Sequence, residues 1–190
     1  MTRCGWVTKD PLYIKYHDEE WGVPVHDDRV HFEFLVLESA QAGLSWITVL
    51  KKRENYRLSY DNFDYEKVAL YDEKKIEELL SNKGIIRNRR KIESSINNAN
   101  RFMEVQREFG SFDNYIWSFV DNKPLINRWA TLGHLPASTS LSDKISKDMK
   151  KRGFKFIGTT IIYSYLQAVG IVNDHTTDCF RYEECIEKNI

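Results

Sequence analysis

Signals for the start and end of helices recur along the sequence, and this feature constrains the fold more than any other. An Asp or Ser that can cap a helix precedes most apolar segments, and a Gly that can end a helix follows several of them. Asp10-Pro11 is typical, because the fixed backbone of Pro suits the first helical position. The alternation of apolar and polar residues that marks a half-buried strand is almost absent. The sequence therefore predicts an all-α domain.

The predicted helices follow these signals in chain order. Their candidate start residues are Asp10, Asp27 or Asp28, Ser45, Asp64, Asp72, Ser111 or Asp113, Ser142, and Thr159 or Thr160. The predicted segments are 11–21, 28–40, 45–60, a short helix after 64, a helix from 72 to 84, an amphipathic helix that ends near 108, 115–120, 142–152 and 159–170. Residues 121–141 contain two Pro and a Ser/Thr-rich run, so a long loop is expected there.

Composition limits the class of protein. The 190 residues suffice for one domain, or for two helical lobes that share a core, with the N- and C-terminal segments packed together. The 28 basic and 28 acidic residues cancel, so binding to a polyanion requires local clusters of charge. Neither a membrane span nor a signal peptide is evident, and three cysteines fit a reducing compartment better than a disulfide framework. We expect a cytoplasmic protein without membrane attachment.

Glu38 lies at the end of an apolar segment, where a carboxylate needs an explanation. Residues 30–37 are rich in Phe, Leu and Val, so their helix faces a core. A charge on a buried element must be solvated, paired or kept to bind something, because its desolvation is costly. Gly43 then allows a sharp turn, and Ser45 can cap a second helix whose first turn carries Trp46. The alternative is a surface Glu and a core Trp.

Five Trp and Tyr residues fall in the first quarter of the chain, near Glu38. Such a set suits a flat cationic or electron-poor ring, because aromatic faces stack on the ring and a carboxylate balances its charge. A Trp-rich core is the alternative. The five candidates are Trp6, Tyr13, Tyr16, Trp21 and Trp46.

Two His/Cys pairs at opposite ends of the chain are candidate metal ligands. His175 and Cys179 are four residues apart, a spacing that puts both side chains on one face of a helical turn. Cys4 and His17 supply the second pair, and two thiolates with two imidazoles complete a tetrahedral zinc site without an open position. Such a zinc ion would be structural and would tie the two ends together. The alternatives are core cysteines with hydrogen-bonded histidines, or Cys185 in place of Cys179.

Two basic clusters each surround a Gly-centred turn. The first contains Lys83, Gly84 and Arg87 and resembles a helix-hairpin-helix, in which amides at a helix N-terminus bind a phosphate. The second surrounds a Gly that follows Lys151 and Arg152. A single cluster is more often a solvated basic helix end, but two clusters in a neutral protein favour DNA binding. The further members are Arg89, Arg90, Lys91, Lys147, Lys150 and Lys155.

Several blocks of sequence, spread over nearly the whole chain, are similar to one known family. They are residues 3–7, 10–14, 16–18, 20–24, 41–56, 84–87, 150–160 and 172–175. They resemble the bacterial 3-methyladenine DNA glycosylase I family. The resemblance implies a helix-hairpin-helix glycosylase fold and hydrolytic removal of N3-methyladenine from alkylated double-stranded DNA in base excision repair. We also expect a monomeric protein that releases free 3-methyladenine as its product.

The resemblance also implies roles for individual residues. Glu38 would be the catalytic residue of a base pocket, and Gly43-Leu44 would lie where a wedge enters the duplex. One structural zinc ion per chain would be held by Cys4, His17, His175 and Cys179. The pocket would be completed by Tyr13, Tyr16 and Trp46, with Trp6 and Trp21 beside them. The family lacks the catalytic Asp of many other helix-hairpin-helix glycosylases, and residues 180–190 show no pattern that predicts a role.

The chemistry of the implied substrate limits what the protein must do. Methylation at N3 makes adenine cationic, so the base leaves as a neutral molecule and needs no general acid. The protein must still flip the nucleotide out of the duplex, recognise the base and allow water to attack C1′. A competing hypothesis is a non-enzymatic helix-hairpin-helix module that binds DNA without releasing a base. A third is a zinc-stapled interaction domain, which needs neither basic cluster.

Overall fold

The computed structural model describes residues 1–187, and within them eleven α-helices and two short strands form a mostly helical fold. The helices are α1 (Pro11–Glu19), α2 (Asp28–Gln41), α3 (Trp46–Leu50), α4 (Arg53–Ser59), α5 (Tyr65–Val68), α6 (Glu73–Ser81), α7 (Arg89–Phe109), α8 (Phe112–Trp117), α9 (Ser140–Lys151), α10 (Thr159–Ala168) and α11 (Arg181–Glu187). The strands are β1 (Leu125–Ile126) and β2 (Val172–Asn173). The predicted helical class is confirmed. None of the helices in this part of the chain has the length and apolar character needed to cross a membrane.

Helix α2 forms the centre of the fold. Asp27 caps it by accepting hydrogen bonds from the N–H groups of Arg29 and Val30, at 2.9 and 3.1 Å. Residues 31–40 are all buried, because α2 packs against α3, α7, α8 and α10. Glu38 therefore lies in the interior, on the last turn of a buried helix.

The single helix predicted over residues 45–60 is wrong, because the chain turns between α3 and α4. The turn brings Arg53 inward, where its guanidinium donates to Glu33 at 2.7 Å and to Glu20 at 2.6 Å. These carboxylates lie far from Arg53 in sequence, so local patterns do not reveal the ion pairs that accompany the break.

Two helices begin earlier than predicted. The cap of α9 is Thr139 and not Ser142, which is the third residue of the helix and exchanges reciprocal hydrogen bonds with Thr139. The cap of α8 is Ser111, one of its two predicted start residues, whose Oγ accepts from the N–H of Asn114 at 2.9 Å, so that α8 begins at Phe112 and not at 115. Both helices are present, and the errors concern where they begin.

The loop predicted over residues 121–141 contains β1, which pairs in parallel with β2. Leu125 lies opposite Val172, and Ile126 lies opposite Asn173. Strands of two residues carry no periodic pattern, so alternation could not predict them. The pairing holds this segment against the chain that follows α10. The two ends of the fold also meet, since the N–H of Phe180 donates to the carbonyl of Thr2 at 3.0 Å.

Candidate active site

A cavity of about 270 Å³ is lined by residues in or next to α1, α2, α3 and α10 and by residues of the segment 132–137. All five aromatic residues singled out in the sequence line this cavity together with Glu38. They are Trp6, Tyr13, Tyr16, Trp21 and Trp46. The volume and the aromatic walls suit a single flat ring system.

The aromatic rings hold one another in place. The ring of Trp6 lies 4.9 Å from that of Tyr13 and 5.0 Å from that of Trp21. Tyr16 packs at 5.5 Å from Trp46. Tilted contacts of this kind are favourable because the edge of one ring meets the face of another. The walls of the cavity are therefore preformed, which lowers the entropic cost of binding a ring between them.

Among residues 1–187, Glu38 is the one acidic residue that lines this cavity, and it is only 3% exposed. Its Oε2 is buried without a hydrogen-bond partner among residues 1–187. Desolvation raises the pKa of Glu38 to about 8, so the group is mostly neutral at pH 7. A cation placed in the cavity would favour the carboxylate instead, since opposite charges attract strongly where water is excluded.

A second polar group of the cavity also lacks a partner. The indole Nε1 of Trp46 is buried and donates to no acceptor within the described part of the chain. Burying a polar group without a hydrogen bond is costly, so a ligand that satisfied such groups would gain affinity. Glu38 and Trp46 thus offer unused hydrogen-bonding capacity in an otherwise aromatic pocket.

The four predicted metal ligands come together behind the aromatic wall. Cys4, His17, His175 and Cys179 are all buried, and their ligand atoms lie within 4.8 Å of one another. Three of the Sγ–N separations are 3.4, 3.4 and 3.5 Å. These match the edge of about 3.5 Å expected for a zinc tetrahedron. Cys179 and not Cys185 completes the set, although it reaches His175 through a turn and not through a helix.

Hydrogen bonds orient both imidazoles toward this cluster. His17 Nδ1 contacts Asp18 Oδ1 at 2.7 Å, and Arg3 in turn binds Asp18 at 2.7 Å. His175 Nε2 contacts the carbonyl of Trp21 at 3.0 Å. The remaining nitrogen of each ring therefore faces the thiols, as in metal sites whose outer hydrogen bonds fix the ligands. Because Trp21 also lines the cavity, the cluster supports one wall of it.

The first basic turn uses most of its backbone amides internally. The N–H of Gly84 donates to Asn82 Oδ1 at 2.8 Å, and that of Ile86 donates to the hydroxyl of Tyr56 at 3.2 Å. Lys83 and Arg87 are exposed, and neither forms an ion pair within residues 1–187. This turn therefore offers positive side chains more readily than free amides.

At the second basic turn, between α9 and α10, the backbone amides next to the start of α10 are not used internally within residues 1–187. Gly158 precedes α10 without any side-chain cap, and the N–H groups of residues 156–161 find no acceptor within the described chain. Lys150 and Lys151 are exposed beside it. Arg152 is different, because its guanidinium binds Glu108 at 2.7 Å and a second carboxylate on α9 at 2.8 Å. An uncapped helix N-terminus with free lysines is a favourable place for a phosphate.

The turn after α2 projects next to the cavity. Gly43 has a φ of +81°, which favours glycine, and Leu44 is 39% exposed. Lys91 on α7 fixes this turn, because its Nζ donates to the carbonyls of Ala40 and Ala42, both at 2.7 Å. Lys91 is thus a helix cap and not a free surface cation.

Comparison with known proteins identifies the family. A sequence model described as methyladenine glycosylase matches residues 6–182. The chain belongs to the methyladenine glycosylase family. DNA-3-methyladenine glycosylase 1 of Escherichia coli (strain K12) is 53% identical over 182 residues, which cover 96% of this chain and 97% of that relative. The resemblance seen in the sequence is confirmed.

Solved structures of methyladenine glycosylases agree with this fold. A crystal structure of 3-methyladenine DNA glycosylase I superimposes with a TM-score of 0.92 at 55% identity, covering 94% of this chain and 98% of that one. The Staphylococcus aureus 3-methyladenine DNA glycosylase I, solved to explain its recognition of 3-methyladenine, gives a TM-score of 0.92 at 37% identity. That comparison covers 96% of this chain and 97% of the other.

Sequence reasoning missed the lining residues that come from the end of α2, from α10 and from residues 132–137. Gln41 lines the cavity one turn after Glu38. Residues of α10 spaced three or four apart form another wall, a spacing that the sequence did contain. The last wall lies in the predicted loop and had no detectable signal. These further residues are Leu132, Leu135, Pro136, Ala137, Thr160, Tyr163, Ser164 and Gln167.

Proposed function

We propose that this chain is a monofunctional DNA glycosylase that flips N3-methyladenine out of alkylated duplex DNA and hydrolyses its N-glycosidic bond. The observation that carries the proposal is the buried carboxyl of Glu38, unpartnered within the described chain, in an aromatic cavity sized for one base. Family membership and the close relatives that carry this name support the same reaction.

The cationic charge of the substrate explains the aromatic walls and Glu38 together. We propose that Trp46 stacks on the flipped base and that Glu38, ionised by the incoming cation, accepts hydrogen bonds from its amino edge. Trp6, Tyr13 and Tyr16 would complete the wall around the ring. When the bond to C1′ breaks, its electron pair neutralises the base, water adds to C1′, and the proton of that water is released.

Normal adenine would be rejected for two reasons. It carries no charge to be attracted by aromatic faces or to ionise Glu38, so it leaves the carboxyl in its neutral form. It is also a poor leaving group, because its departure without protonation would create an anion. Selectivity therefore follows from charge more than from shape.

We propose that the turn between α9 and α10 binds the DNA backbone. Its free amides would bind a phosphate, and Lys150 and Lys151 would neutralise neighbouring charges. Lys83, Gly84 and Arg87 would lie along a second stretch of backbone. Since Arg152 is already held by two carboxylates, we assign it a structural part in this turn.

Gly43 and Leu44 would supply the wedge. Leu44 is apolar, exposed and carried on a turn beside the cavity, so it can fill the space left in the duplex by the flipped nucleotide. No side chain lies within 4 Å of a Cβ built on Gly43, which leaves the turn open for close approach of DNA.

We propose zinc as the metal of the buried cluster, one ion per chain. The residues present fit it, since two thiols and two imidazoles at tetrahedral spacing are the ligands that structural zinc prefers. Bound there, zinc would supply folding stability and no reaction chemistry, because four protein ligands leave no position for water. Cys4 and Cys179 would join the two ends of the chain through it.

Chromatography of the bases released from methylated duplex DNA tests the proposed function. We expect free 3-methyladenine from the wild-type protein, with 7-methylguanine left in the DNA, and much slower release from E38Q. A folded protein that binds DNA without releasing a base would instead be a binding module. A protein that does neither would be an interaction domain.

A further inference from the structure

One buried carboxyl group behind the cavity contacts both of its sides. Asp174 follows β2, is 1% exposed and accepts four hydrogen bonds. Its Oδ2 accepts from the hydroxyl of Tyr163 and, at 2.7 Å, from Nε2 of Gln167. Its Oδ1 accepts from Nδ2 of Asn127 at 2.7 Å and from Nε1 of Trp129 at 2.6 Å. The two oxygens thus use their acceptor sites on four different residues.

The four donors lie on two segments of the chain, α10 and the stretch that leads to residues 132–137. Tyr163 and Gln167 lie on α10 and line the cavity themselves. Asn127 and Trp129 do not line it, but they precede residues 132–137, which supply another part of the lining. Asp174 therefore links α10 to the segment that leads into this second part of the lining.

The wall of residues 132–137 depends on this link, because it has few other hydrogen bonds to the rest of residues 1–187. In that part of the chain, residues 130–138 form hydrogen bonds only with one another or with their immediate neighbours. The segment is tied to the chain after α10 just before this stretch, where the N–H of Thr177 donates to the carbonyl of Trp129 at 2.9 Å and that of Asn127 donates to Asn173 at 3.1 Å. The side-chain bonds to Asp174 lie at the same point.

We infer that Asp174 is a positioning residue that holds the wall of residues 132–137 against α10 and so sets the width of the base pocket. This inference rests on the proposed function of that pocket. A carboxylate suits the task better than an amide, since every partner is a donor and the N–H groups of an amide would face donors. Correct spacing of the walls matters because stacking and hydrogen bonding to the flipped base both require close contact.

The variant W129F tests the link without touching the cavity. It removes one hydrogen bond to Asp174 and keeps an aromatic side chain. We expect the dissociation constant for free 3-methyladenine, measured by titration calorimetry, to rise roughly tenfold, as the loss of a bond to a charged group predicts. The affinity for undamaged duplex DNA should not change, because neither Trp129 nor Asp174 belongs to a basic turn. D174N should weaken base binding further.

W117F is the matched control. The indole of Trp117 donates to the carbonyl of Val25 at 2.9 Å, away from the cavity, so its loss should leave base binding at the wild-type value. Zinc content is measured in each variant, because Asp174 adjoins His175. If W129F does not fold at the assay temperature, Asn127→Ala removes the other donor to the same oxygen and tests the same link.

The possible results separate the inference from the proposed function. Wild-type affinity for 3-methyladenine in W129F, or equal weakening in W117F, would overturn the positioning role and leave the glycosylase intact. A wild-type protein that neither binds nor releases 3-methyladenine would overturn the proposed function, and the inference with it.

Discussion

Replacing Glu38 by Gln should stabilise the protein at alkaline pH, even though it removes the central group of the pocket. In the unfolded chain this carboxyl ionises near its ordinary pKa of 4.5, whereas burial in the folded protein raises the pKa to about 8. Between these values the folded protein keeps a proton that the unfolded chain has released. The free energy of unfolding therefore falls as the pH rises through this window. The amide of E38Q does not titrate, so the variant escapes this loss.

The size of the effect follows from the two pKa values. Each pH unit between them changes the free energy of unfolding by about 1.4 kcal/mol. The whole window from 4.5 to about 8 then corresponds to up to about 5 kcal/mol, a large part of the stability of an ordinary domain. From about pH 6 to pH 9, the free energy of unfolding of the wild type should fall by about 3 kcal/mol relative to that of E38Q.

Urea unfolding at about pH 6 and pH 9 measures this divergence. Glu66 is exposed, so E66Q serves as a control that should follow the wild type at both pH values. Equal pH dependence in wild type and E38Q would refute the reasoning, because it would mean that water or another group solvates Glu38 in the folded protein.

Three further predictions concern the metal, the DNA interface and the turn after α2. Elemental analysis should find about one zinc per chain, and C179S, like removal of the metal with a chelator, should lower the melting temperature. For DNA binding, the logarithm of the association constant falls linearly with the logarithm of the salt concentration. K150A and K151A should each reduce the magnitude of this slope by about one, whereas R152A should leave it unchanged. K91M should slow base release from duplex DNA about tenfold, because the carbonyls of α2 lose their cap, while free 3-methyladenine binds normally.

Much of the site could be predicted because its signals are local or chemically specific. Caps such as Asp27 act within one turn, so most helices were found from neighbouring residues alone. Cysteine and histidine are scarce in this sequence, which made the set of Cys4, His17, His175 and Cys179 easy to assemble. A carboxylate at the end of an apolar helix is rare for an energetic reason, and this drew attention to Glu38.

The rest depends on contacts between residues that are distant in sequence. The break before Arg53 accompanies ion pairs with carboxylates on other elements, and β1 exists only because β2 lies beside it. The two basic turns look alike as sequences, yet in the first one Asn82 and Tyr56 occupy amides that in the second one stay free. Likewise, sequence alone could not distinguish free Lys151 from paired Arg152.

The last turn of α2 carries Glu38, which is proposed to recognise the base. The turn that follows carries Leu44, which is proposed to fill the place of that base in the duplex. Gln41 lies three residues after Glu38, a rise of about 4.5 Å, and its carbonyl accepts from the N–H of Leu44 at 2.6 Å. Because this segment is short and hydrogen-bonded, Leu44 cannot enter the duplex without bringing Glu38 close to the DNA. Each insertion of Leu44 would therefore present the carboxyl group of Glu38 to the nucleotide that is expelled, so that flipping a base and testing its charge would occur in the same step.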